Sequence, residues 1–126
     1  MRIAIIVGSH RKDSQSAKIG RFLQAQIESI GDHSCWTCDL GKHPLPLWDE
    51  EIGTDAAHWA PLGELNAQLH SSEAIIVISP EWHGMVPAAV KNFFLVCDST
   101  ALSHKHALAV GVSVGPGGSY PITELR

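Results

Sequence analysis

The sequence is short of the features that would place it quickly in several large classes. Its 126 residues include three cysteines, a small and odd number that argues against a disulfide framework. Charged residues make up 17% of the chain, the net charge is −4, and no lysine or arginine block occurs. A nucleic-acid or anionic-membrane surface needs such a block, so neither partner is expected. No apolar run approaches bilayer-spanning length, and Ile3–Val7 is too short for the core of a signal peptide. A cytoplasmic protein is the expectation. Also absent are the Gly-Lys-Ser/Thr of a Walker A loop and the second and third glycines of a dinucleotide fingerprint. One domain over 1–126 fits this length and a hydrophobic content of 44%.

What the chain does have is concentrated first in Met1 to Lys18. The β-branched run Ile3-Ala4-Ile5-Ile6-Val7 reads as a strand buried on both faces. Gly8 closes it, and Ser9-His10-Arg11-Lys12-Asp13-Ser14-Gln15-Ser16 leads into a helical pattern. Strand, polar loop and helix N-terminus in that order make an anion site from free N–H groups and the helix dipole. Ser9, Ser14 and Ser16 add hydroxyl donors, and Arg11 a guanidinium fork suited to phosphate. Asp13 would repel an anion and is expected to face solvent. The loop is predicted to hold a phosphate monoester; the plainer alternative is a solvated turn whose serines only cap the helix.

Helical spacing from Ser14 puts Ile19, Phe22, Leu23, Ile27 and Ile30 on one buried face, with Gly31 as its stop. Ser34 to Leu40 reads as a second strand, followed by the proline-punctuated loop Gly41–Asp49. Residues 50 to 60 give no clear pattern. A helix is predicted from Pro61 to His70, a third strand from Ala74 to Ser79, and a helix opened by Pro87 in which Val90, Phe93, Phe94 and Cys97 share a face. Ala107 to Ser113 reads as a fourth strand, followed by the Gly115–Tyr120 loop and a helix from Pro121. This alternation predicts an α/β fold with an open parallel sheet covered on both faces. Ligands in such sheets sit beyond the carboxyl ends of the strands, near a switch in strand order. The loops at Gly8–Ser16, Pro80–Val86 and Gly115–Tyr120 would share one site there.

Cys35-Trp36-Thr37-Cys38 has redox or zinc half-motif spacing, but residues three apart on a strand face opposite ways. Packed thiols are therefore the expectation. Cys97 falls on a buried helix face, where a nucleophile is not expected. Eight histidines include His104-Lys105-His106, which lack acidic or cysteine partners nearby in sequence, so no metal is predicted.

Taken together, the loops resemble those of the NADPH-dependent FMN reductase family. Gly8-Ser9-His10-Arg11-Lys12-Asp13-Ser14-Gln15-Ser16 is similar to its Gly-Ser-x-Arg-x-x-Ser-x-Ser/Asn. Pro80-Glu81-Trp82-His83-Gly84-Met85-Val86-Pro87-Ala88-Ala89-Val90-Lys91-Asn92 is similar to its Pro-Glu-Tyr-Asn-x-x-x-Pro-x-x-Leu-Lys-Asn. Leu45-Pro46-Leu47-Trp48-Asp49 resembles its Leu-Pro-Leu-aromatic-Asp segment, and Leu125-Arg126 the end of the helix after its Gly-Gly turn. The resemblance implies a flavodoxin-like doubly wound sheet of order 2-1-3-4, without the fifth strand and final helix of the family's 2-1-3-4-5. It implies FMN as cofactor, NADPH or NADH as donor, and a flavin, quinone or azo compound as the small-molecule acceptor. Ser9, Arg11, Ser14 and Ser16, with the backbone at Gln15, would hold the FMN phosphate. Pro80, Glu81, Trp82, His83 and Gly84 would wrap the isoalloxazine, and Ser113, Gly117 and Gly118 would complete the cofactor set. No protein residue is expected to carry the chemistry, which belongs to the flavin.

Three departures stand out: Trp82 for the family's Tyr, His83 for its Asn, and apolar Leu95-Val96 where a polar residue usually follows. The missing fifth strand suggests a fragment or shortened variant, and a homodimer or homotetramer is expected. The alternative function is a non-enzymatic FMN-binding electron carrier or an inactive truncated module; Arg11 and the Pro80–Gly84 loop favour the reductase.

Overall fold

A computed structural model describes residues 1–115 and 117–126; Pro116, in the third loop, lies outside them. The elements run β1 (Arg2–Val7), α1 (Gln15–Ser29), β2 (Ser34–Asp39), α2 (Ala60–Ser71), β3 (Ala74–Pro80), α3 (Ala88–Val96), α4 (Ser99–Leu102), β4 (His106–Val112) and α5 (Ser119–Glu124). The four strands are parallel in the order β2-β1-β3-β4, as the chain's alternation of strands and helices implies. The order reverses between β1 and β3, so their carboxyl ends flank the crevice where such sheets take ligands.

The apolar strands are explained by cover on both sides. Ala4 and Ile6 of β1 join Ile75 and Val77 of β3 in a core with Leu62, Leu65 and Leu69 of α2 and Val90 and Phe93 of α3. Ile5 and Val7 point the other way, with Ile76 and Ile78, against Ala17, Ile19, Leu23 and Ile27 of α1. Cys35 and Cys38 separate in the same manner, one packed against each core. Pro61 sits in the first turn of α2, and Asn92 fastens the proline loop to α3 by accepting from the Trp48 N–H at 2.9 Å and donating to the Pro46 carbonyl at 2.7 Å.

Three side chains depart from the helical reading. Phe22, Ile30 and Phe94 are exposed. The buried residues of α1 are Ser16, Ala17 and Gly20, small residues that bring the helix close to the sheet beside Ile19, Leu23 and Ile27; a Cβ on Gly20 would lie 2.9 Å from Val7 Cγ2. That rotates Phe22 and Ile30 outward. Segment 50–59 ends in the buried Trp59, and the short α4, not foreseen from periodicity, is capped by Asp98, which accepts from the Thr100 N–H at 2.8 Å.

Gly8 is where β1, β3 and α3 meet. Its N–H donates to the Ile78 carbonyl at 2.8 Å. A Cβ there would stand 2.2 Å from Val90 Cγ2 and 2.8 Å from the Ile78 oxygen. Gly8→Ala is therefore expected to lower the unfolding free energy by about 2–3 kcal/mol through overpacking. Urea denaturation of the two proteins measures this; an unchanged midpoint would mean that the strand end yields freely.

Candidate functional site

Three loops meet beyond the carboxyl ends of β1, β3 and β4 around a cleft of about 300 Å³. Its walls contain Ser9, Arg11, Ser14, Gln15 and Ser16 from the first loop and helix start, Pro80, Glu81 and Trp82 from the second, and Val112, Ser113 and Val114 from the third. A larger groove, about 700 Å³, lies between α3 and the C-terminal residues; its polar groups are the Lys91–Glu124 ion pair and Arg126. Convergent hydrogen-bond donors occur in the smaller cleft, which makes it the better candidate.

The first loop is built as an anion cradle. Ser14 caps α1 from an extended backbone, its Oγ accepting from the Ala17 N–H at 3.0 Å, which leaves the hydroxyl proton available. Ser9, almost completely buried, accepts from the Arg11 N–H at 3.4 Å. Ser16 is equally buried, and its Oγ has no hydrogen-bond partner among the described residues. An orphaned buried hydroxyl costs about 1–3 kcal/mol, and an acceptor entering the cleft would relieve it. No acidic residue stands in the first turn of α1, and Asp13 is exposed, outside the cleft walls. The Arg11 guanidinium makes no ion pair among the described residues.

The second loop is tied to the sheet by the Glu81 N–H, which donates to the Val112 carbonyl at 2.8 Å. Trp82 and Met85 exchange backbone hydrogen bonds of 3.1 and 3.0 Å around His83 and Gly84, whose φ values are 52° and 72°. Two successive positive φ values suit glycine, and outside glycine they favour Asn, Asp or His. The histidine that stands where the resembled family has Asn thus meets a backbone demand. His83 itself is exposed, and neither it nor Gly84 lines the cleft.

Trp82 does line it, with its ring edge-on to His10, centroids 4.4 Å apart. His10, unassigned from sequence, therefore links the first loop to the second. In the third loop Gly117 and Gly118 are not among the described residues that line the cleft. Gly118 has φ 90° and donates its N–H to Glu81 Oε2 at 2.7 Å, while a Cβ on Gly117 would crowd both Glu81 oxygens at 3.3 Å. Both glycines thus lie against the Glu81 carboxylate.

A family model described as NADPH-dependent FMN reductase matches residues 1–126. The chain belongs to that family. A quinone reductase of Pseudomonas putida strain KT2440 is 29% identical over 132 residues, covering 94% of this chain and 63% of the relative. Among solved structures, an NADH:FMN oxidoreductase in its apo form superposes with a TM-score of 0.78 at 22% identity, over 99% of this chain and 65% of the other. A flavoenzyme NAD(P)H:(acceptor) oxidoreductase from Paracoccus denitrificans gives 0.76 at 23%, over 99% and 68%. The family's fold, a doubly wound parallel sheet, is the one found here, in a chain that spans under two thirds of that curated relative.

The cysteines stand apart from the cleft walls. Burial pushes the Cys38 and Cys97 thiols up to about 11 and raises that of Cys35, the nearby Glu28 adding to the last. Among the described residues, no three His, Cys, Asp or Glu groups converge on a metal position. Between the ordinary thiol value of 9.0 and about 11, the unfolded state has released protons that the native thiols retain. Stability contributed by the protonated thiols is complete below that window and falls as pH rises through it. Chemical denaturation at pH 8 and pH 10.5 should show this fall, and Cys38→Ala/Cys97→Ala should flatten it; an equal slope in the variant would contradict the assignment.

Proposed function

We propose that the cleft binds FMN and that the protein is an NAD(P)H-dependent oxidoreductase delivering electrons to a small acceptor such as a flavin, quinone or azo compound. The observation that carries this reading is the orphaned Ser16 hydroxyl, buried beside Ser9 and Ser14 at the start of a 15-residue helix with Arg11 at the rim. Those groups match the donors a phosphate monoester requires, since the helix dipole and N–H groups favour its charge and the hydroxyls saturate its oxygens.

Bound FMN supplies the redox chemistry, accepting a hydride and passing electrons on. The protein's contribution is placement. In this reading Ser9, Ser14, Ser16, the Gln15 backbone and Arg11 fix the phosphate, while Pro80, Glu81, Trp82 and Val112–Val114 bound the ring. The turn through His83 and Gly84 holds Trp82 in place, and Gly117 and Gly118 support the opposite wall. Trp82 offers an aromatic face that excludes water from one side. The quinone reductase relative supports a quinone-type acceptor. Exposed Leu47, Trp48, Phe94 and Leu95, the last two in one groove, offer apolar surface for assembly into a homodimer or homotetramer. Three free cysteines agree with a reducing cytoplasm, and no helix among the described residues is long and apolar enough to cross a membrane.

The purified protein mixed with FMN should develop bound-flavin absorbance that bleaches anaerobically with NADPH or NADH. Binding without bleaching would favour an electron carrier, and no binding at excess FMN would sink the phosphate reading. Ser16→Ala gives a sharper test because its two effects have opposite sign. Removing the orphan should stabilise the FMN-free protein by about 1 kcal/mol while weakening FMN roughly tenfold.

A further inference from the structure

The second loop and α5 are joined by two carboxylates in reciprocal fashion. Glu81, at the start of the loop, accepts from the backbone N–H of Gly118, the N-cap of α5, at 2.7 Å. Glu124, the last residue of α5, accepts from the backbone N–H of Val86, at the end of the loop, at 2.8 Å. Between these ties the turn glycine Gly84 lies beside Tyr120 of α5, the position of a Cβ falling 4.0 Å from the ring. Each segment therefore contributes one carboxylate and one amide, and the contacts cover both ends of each. Distances of this size are those of charge-assisted hydrogen bonds, the stronger class. Lys91 of α3 stands 3.5 Å from the same Glu124 oxygen, Oε2, that accepts from Val86.

Only one of the two carboxylates faces the cleft. Glu81 lines it, whereas Glu124 lines the separate groove beside α3. We propose that Glu81 and Glu124 are paired positioning residues that lock the second loop to α5 as one wall, and that FMN affinity depends on Glu124 although it stands outside the cleft. The proposal rests on the FMN reading given above. Its physical basis is that Trp82 and Val112–Val114 form adjoining parts of the cleft, Trp82 lying in the clamped loop and Val112–Val114 preceding Gly118, the N-cap of the clamped helix. Releasing Val86 frees the end of the loop that carries Trp82. Releasing Gly118 frees the turn that follows Val114, and an ordering cost then falls on ligand binding.

The test uses the wild type, Glu81→Ala, Glu81→Gln, Glu124→Ala, Glu124→Gln and the double alanine variant. FMN affinity is read by quenching of flavin fluorescence, and amide exchange at Val86 and Gly118 by NMR in FMN-free protein. Glu124→Ala is expected to weaken FMN roughly tenfold, the loss of one such hydrogen bond. It should also speed exchange at both amides, including Gly118, whose own acceptor is intact. Glu124→Gln keeps an accepting oxygen and should return FMN affinity to within about threefold of wild type. The double variant should lose less than the product of the two single losses, the signature of coupled residues. The proposal is overturned if Glu124→Ala binds FMN like wild type, or if each variant speeds only its own amide. Should an alanine variant fail to fold, Glu124→Asp, one methylene too short to reach Val86, gives the same exchange readout. A wild type that binds no FMN would defeat the cofactor reading, while the exchange pattern would still decide whether the clamp exists.

Discussion

The close approach of Gly8 to β3 and α3 sets the position of everything in the cleft. Its N–H is part of the β1–β3 pairing, and the space a side chain would need is filled by Val90 and the Ile78 carbonyl. The chain leaves β1 in contact with α3 and turns at once into Ser9, whose carbonyl is met from another side by the turn after β2. A Cβ on Gly41 would lie 2.8 Å from that oxygen. Loop one is thus wedged between two turns before it reaches the Ser14 cap. Close packing of this kind, more than the loop's own hydrogen bonds, makes a short polar segment rigid enough to present donors in a fixed array.

That array is arranged around the cost of burying polar groups. Ser9, Ser14 and Ser16 are all buried, yet Ser9 and Ser14 accept hydrogen bonds within the loop and Ser16 makes none among the described residues. The helix dipole and Arg11 give this end of the cleft a positive potential within a chain of net charge −4. Glu81 lines the same cleft, and its carboxylate is engaged by the Gly118 N–H. That hydrogen bond orients the carboxylate toward α5. The potential therefore changes sign along the cleft, from the Arg11 end to the Glu81 wall.

Much of the framework was legible in the residues. Uninterrupted apolar runs in β1 and β3 can persist only between two helical layers, and the glycine- and proline-punctuated loops mark the carboxyl ends of β1, β3 and β4. The family-like motifs led to Ser9, Arg11, Ser14, Gln15, Ser16, Pro80, Glu81, Trp82 and Ser113, all of which line one cleft. Periodicity failed where small residues carry the packing. On α1 the large Phe22 and Ile30 mislead, because the face that meets the sheet is made of the buried Ser16, Ala17 and Gly20 with Ile19, Leu23 and Ile27 packed beside them. The His10–Trp82 contact and the Glu124–Val86 tie join positions 72 and 38 residues apart, and no local pattern announces such pairings. His83 shows the opposite case, a substitution that looks chemical until its backbone angle explains it.

Cover is graded along β4. His106, Ala107 and Leu108 of β4 are exposed, whereas Ala109 to Val112 are partly covered. The covered half pairs with Val77, Ile78, Ser79 and Pro80, running up to the cleft. It is also closed over by its own following turn, since a Cβ on Gly111 would stand 2.2 Å from the Gly118 carbonyl oxygen. The Glu81 tie to Gly118 adds a second fastening where the cleft begins, so the covered part of β4 is the part beside the site.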